Sequence, residues 1–95
     1  MTTIEVTSSD IANGIRGAAS SCPVALAVNR AIEKQYSAFA TRSSISIFDD
    51  DRWINDHQCP KPVAAFIEQF DAGEPVQPLT FILKLNKREA SGGLR

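Results

Sequence analysis

The chain has 95 residues, with ten Lys and Arg against eleven Asp and Glu and a formal charge of −1. That length makes one domain with a modest core, burying roughly 60–65% of the unfolded surface, a size that gains from association with a second copy. A near-neutral charge, with no basic run long enough to follow a phosphate backbone, argues against DNA or RNA polymers as partners.

Thr2 to Thr7 alternates, with Ile4 and Val6 on one face, and predicts a short edge strand. Thr7-Ser8-Ser9-Asp10 is a relative of the capping box and predicts a short helix from Ser9 to about Asn13. Gly14 is expected to end that helix in a left-handed conformation.

The next stretch, NGIRGAASSCPVALAVNRA, is the most distinctive of the chain. Cys22 is the expected cap of a helix that starts at Pro23, because proline has no amide hydrogen to lose there and its φ is already helical. Val24, Ala27, Val28, Ala31 and Ile32 form one apolar stripe, small enough to lie close against a sheet, with Asn29, Arg30, Glu33 and Lys34 on the wetter side. No acidic side chain occurs between Gly14 and Arg30, so the helix start offers amides and a positive dipole end without a carboxylate of its own.

Tyr36 to Phe48 reads as strand, with Arg42-Ser43 as a bulge or turn between two halves. Asp49-Asp50-Asp51 is a turn and Arg52–Asn55 a short return strand, making a hairpin, followed by a loop from Asp56 to Pro62. A helix over Lys61–Ala72 carries Val63, Phe66, Ile67 and Phe70 on one face and is closed by Gly73. Glu74 to Pro78 is a linker, and Leu79 to Leu85 is a strand with Leu79, Phe81, Leu83 and Leu85 inward and Ile82 partly covered. The fold class expected is α+β: a small antiparallel sheet of about four strands with two main helices on one face, in the order β-α-β-β-α-β. Residues 1–86 form the domain and 87–95 a mobile tail.

A phosphate or carboxylate is the ligand class that suits the helix start. Arg16, the Gly17 turn, the hydroxyls of Ser20 and Ser21, the Cys22 cap and the amides of Val24 and Ala25 would converge on it. Walker and dinucleotide motifs are absent, and a capped helix with Arg16 in solvent accounts for the same residues. Tyr36 and Trp53 border polar segments and are expected half-exposed, able to stack on a base with Arg42 or Arg52 behind them, whereas Phe39 and Phe48 are expected in the core.

A thiol at a helix N-terminus has a lowered pKa, but His57 is the chain's single histidine and sits in the predicted proline-rich loop, so Cys22 is read as a buried or capping thiol. Cys22, His57 and Cys59 lack metal-ligand spacing, and the aspartate triplet lacks that of a calcium loop, so no metal or other cofactor is expected. The opening MTTIEVTSSD has no secretion-signal character, no apolar run is long enough for a membrane, and the two cysteines read as free thiols of a cytoplasmic protein.

DIANGIRG…CPVALAVNRA and VAAFIEQFDAGEPVQPLTFIL together resemble small uncharacterised phage and prophage proteins that share an Arg-Gly segment before a Cys-Pro-Val-Ala-Leu-Ala helix. The resemblance implies a non-enzymatic, homo-oligomeric phage protein in the host cytoplasm. It would be an anti-defence sponge that sequesters a cyclic nucleotide or an ADP-ribose derivative. The alternative is a protein–protein interaction module, acting on a host protein or in phage assembly, supported by an apolar surplus at Trp53, Val76 and Ile82 and by the lack of a catalytic set.

Overall fold

A computed structural model describes residues 2–50 and 52–85. The expected tail, 87–95, lies outside the described residues, as does Asp51 of the predicted turn. The chain is α+β, in the order β1 (Thr2–Val6), α1 (Ser8–Asn13), α2 (Pro23–Ala31), β2 (Tyr36–Ala40), β3 (Ser44–Asp49), β4 (Arg52–Gln58), α3 (Lys61–Asp71) and β5 (Leu79–Leu83).

The expected single sheet of about four strands is two antiparallel sheets: β1 pairs with β5, and β2, β3 and β4 form a meander. In the first, Ile4 lies opposite Phe81 and Val6 opposite Leu79. In the second, Tyr36, Ala38, Ala40, Ile45 and Ile47 fill one face and are all buried. The small stripe of α2 lets it lie against both β1 and β2, so one apolar cluster spans the two sheets. Val63, Phe66 and Ile67 of α3 and Leu83 and Leu85 complete that cluster, while Ile82 faces outward, half-exposed.

The first turns of the chain are pinned by polar groups. Thr7 accepts the Asp10 amide at 3.2 Å, and the Asp10 carboxylate accepts the Thr7 amide at 2.9 Å, completing the capping box. Asp10 is buried, and both of its oxygens accept from the Arg30 guanidinium at 2.9 Å. Arg30 also donates to the Glu5 carbonyl, so it ties α1, α2 and β1 together while lying on the wetter side of α2, as expected. Gly14 is not left-handed, with φ −69° and ψ 153°. It is glycine because a Cβ there would stand 2.5 Å from Cδ of Pro23. Among the described residues the left-handed glycines are Gly17 and Gly73.

Helix α2 ends at Ala31, so Arg30 occupies its last turn and Lys34 lies beyond it. The free edge of β2 is closed: the Asn29 side chain exchanges two hydrogen bonds with the Ala38 backbone, and the Ala40 amide donates to the Ala19 carbonyl. Strand β4 runs on through Asp56, His57 and Gln58, which pair with Ser46, Ile45 and Ser44, where a loop was expected. The pairing jumps a residue at Ile54, since Phe48 faces Trp53 and Ile47 faces Asn55. This bulge explains the misreading, because it breaks the alternation that sequence periodicity relies on.

Candidate functional site

The α2 start is built as expected in its backbone and differently in its surroundings. Cys22 is the cap and Pro23 the first helical residue. The Cys22 sulfur accepts the Ala25 amide at 3.5 Å and its thiol donates to the Ala40 carbonyl. Cys22, Val24 and Ala25 are buried, so these amides face the interior rather than a ligand. Burial pushes the Cys22 thiol up, outweighing the amides that would lower it, and Cys59 is raised in the same way.

The loop ahead of the helix is closed on itself, with the Ile15 amide donating to Ser21 and the Ser21 amide to Ala18. The Gly17 amide donates to a carboxylate oxygen of Asp71 at 2.9 Å. The tertiary fold thus supplies, from 54 residues away, the acidic group that is missing locally. Arg16 is exposed and leans over the end of α3: a Cβ on Gly73 would lie 3.0 Å from its Nη1. Both residues of the Arg-Gly pair therefore serve the junction with α3, where the carbonyl end of a helix favours a cation. Ser20 is exposed and Ser21 half-buried. A pocket of about 160 Å³ adjoins them, lined by Gly17, Cys22, Thr41, Arg42, Ile67 and Asp71. Sites for drug-sized ligands hold roughly 300–1,000 Å³. Arg42 is engaged at 2.8 Å by Glu68.

Tyr36 and Trp53 do not form a pair. Tyr36 is buried, correcting the expectation of a half-exposed ring, because it shares the parity of Ala38 and Ala40 on the core face. Phe39 has the opposite parity and is exposed, where a core position was expected. Val76 is half-buried against the core rather than part of an apolar surplus outside. Trp53, across from Phe48 and beside the bulge, lies on the outer face with 56% of its surface exposed.

The outer face of β2–β3–β4 is where exposed aromatic surface collects. Register places Ser37, Phe48 and Trp53 in one row and Phe39, Ser46 and Asp56 in the next. The Phe39 and Phe48 rings are 5.0 Å apart and tilted by 44°. The Trp53 indole donates to Asp56 at 2.9 Å. Hydrogen bonds from Ser46 and Trp53 hold the Asp56 carboxyl below the usual carboxylate range. The signal for this face was present in the parity of Tyr36, Ala38 and Ala40 against Ser37 and Phe39, but the bulge hid its β4 half.

Among the described residues no group of three His, Cys, Asp or Glu side chains is arranged to hold a metal ion, and no helix is long and apolar enough to cross a membrane. The chain matches no protein-family model, no curated protein and no solved structure.

Proposed function

We propose that this chain is a small, non-enzymatic interaction module that docks a protein partner on the outer face of its three-stranded sheet. The observation that carries the reading is the exposure of Phe39 and Trp53, at 42% and 56%, beside the half-buried Phe48. Burying side chains of this kind contributes about 1.5–3 kcal/mol each when complete, and aromatic anchors dominate protein interfaces. In the setting that the phage resemblance implies, the partner is a host protein or a component of the virion, met in the host cytoplasm.

The test is comparative capture from host lysate by wild type, by Phe39→Ser/Trp53→Ser and by Ser20→Ala. The reading expects one stoichiometric partner that the double variant loses and Ser20→Ala keeps. Equal capture by all three would overturn it.

Sequestration of a phosphate-bearing nucleotide is the second reading. Its support is the pocket beside the α2 start, with Gly17, Cys22 and Arg42 in its wall. Asp71, in the same wall, opposes an anion there. Calorimetry against cyclic dinucleotides and cyclic ADP-ribose isomers decides it, and absence of heat with all of them removes it.

A further inference from the structure

Resting on that docking face, we infer that the partner presents an arginine, its guanidinium stacked on the Trp53 indole and paired with the Asp56 carboxylate. Two features of the face point to a cation rather than to a neutral apolar segment. The first is the arrangement of Asp56. Its carboxylate is anchored by the Trp53 N–H and by Ser46, so an ionised group is fixed at the rim of an exposed indole ring. Asp56 takes part in neither the Arg30–Asp10 nor the Arg42–Glu68 ion pair. His57, the next residue, pairs with Ile45 and so belongs to the other face of the sheet, and its electrostatic pull is the smallest of the influences on the Asp56 carboxyl.

The second feature is the charge around the face. Asp56 supplies the negative charge of this face, whereas Asp49 and Arg52 share the row of buried Tyr36 and, like His57, belong to the other side of the sheet. Two copies packed face to face would bury each Asp56 carboxylate against an apolar face without a cation, which disfavours a second copy as the occupant. A nucleic acid backbone is disfavoured for the same reason. A basic protein segment is complementary. Arginine suits the geometry better than lysine, because a planar guanidinium stacks on an aromatic ring while its edge donates to a carboxylate, which a rotating ammonium does less well. Phe48, across from Trp53, and Phe39, on the far side of Ser46 from Asp56, supply apolar contact for residues flanking that arginine.

The test is titration of the isotope-labelled full chain, followed by amide and indole NMR shifts, with two capped peptides, acetyl-Leu-Arg-Leu-amide and its citrulline analogue. Citrulline keeps the shape of arginine and removes its charge. The expected result is saturable shifts at Trp53, Asp56 and Phe39 with the arginine peptide. The citrulline peptide should bind about fivefold more weakly, and Asp56→Asn should shrink that difference to the part owed to stacking on Trp53. Equal binding of both peptides at this face would overturn the arginine assignment and leave the docking face standing. No shift on the face with either peptide would overturn the assignment and count against the face as well. Concentration-dependent shifts of the same residues without peptide would assign the face to a second copy, and release of residues 86–95 from it on adding peptide would assign it to the chain's own end. Either result overturns the proposal.

Discussion

The start of α2 and the outer face of the three-stranded sheet differ in what their groups already touch. At the α2 start, the Ala25 amide meets the Cys22 sulfur, the Gly17 amide meets Asp71 and Arg16 leans over Gly73. Groups that would recognise a ligand are engaged by the chain itself, and the helix start is buried. On the outer face, Phe39 and Trp53 keep large exposed surfaces, and Asp56 is fixed chiefly by hydrogen bonds from two neutral neighbours, Ser46 and Trp53. Residue type alone makes the first region look functional. Satisfaction of each group makes the second the better candidate, because an interaction already made inside the fold has little left to offer a partner.

Tyr36 and Trp53 give the strongest test of this contrast, since both are aromatic and flank the same hairpin. Tyr36→Ala should cost about 3–5 kcal/mol in urea unfolding followed by circular dichroism, because it empties a core site. Trp53→Ala should cost under about 1 kcal/mol and abolish partner capture. Similar losses for the two would erase the distinction between a structural and a recognition aromatic.

Acid should weaken the closed region specifically. The Arg30 hydrogen bonds, against the opposing effect of burial, hold the Asp10 carboxyl at about 2 rather than 3.8. A depressed carboxyl pKa stabilises the fold fully above its ordinary value, and that contribution is lost as pH falls through the folded value. Half-exposed Arg30 limits the effect to about 1–2 kcal/mol, lost between pH 4 and pH 2 and absent in Asp10→Asn. A wild-type and an Asp10→Asn chain with parallel acid profiles would contradict the assignment.

Much of this architecture is legible locally. Pro23 after Cys22, Thr7 with Asp10, and the Val63–Phe70 stripe each act within a few residues and mark their helices correctly. What escapes local reading depends on distant partners. Asp71 reaches Gly17 across more than half the chain, and Arg30 reaches back to Asp10. The division into two sheets is set by which strand pairs with β1, and that strand is the last one described. The β4 half of the outer face was hidden by the bulge at Ile54, after which the inward and outward positions of β4 exchange parity.

Asp71→Ala should produce a smaller change, about 0.5–1.5 kcal/mol for an exposed amide–carboxylate bond, with partner capture unaffected. If the variant instead gains heat with a cyclic dinucleotide that wild type ignores, the helix start is a latent anion site that Asp71 occupies.

The central claim, that the outer face is open in the isolated chain and covered in use, is tested most directly through Trp53, the single tryptophan of the sequence. Acrylamide quenching of its fluorescence should approach that of a free indole in the purified chain and fall when the captured partner is added. A Trp53 already shielded in the isolated chain, or equally quenched with and without the partner, would contradict the claim.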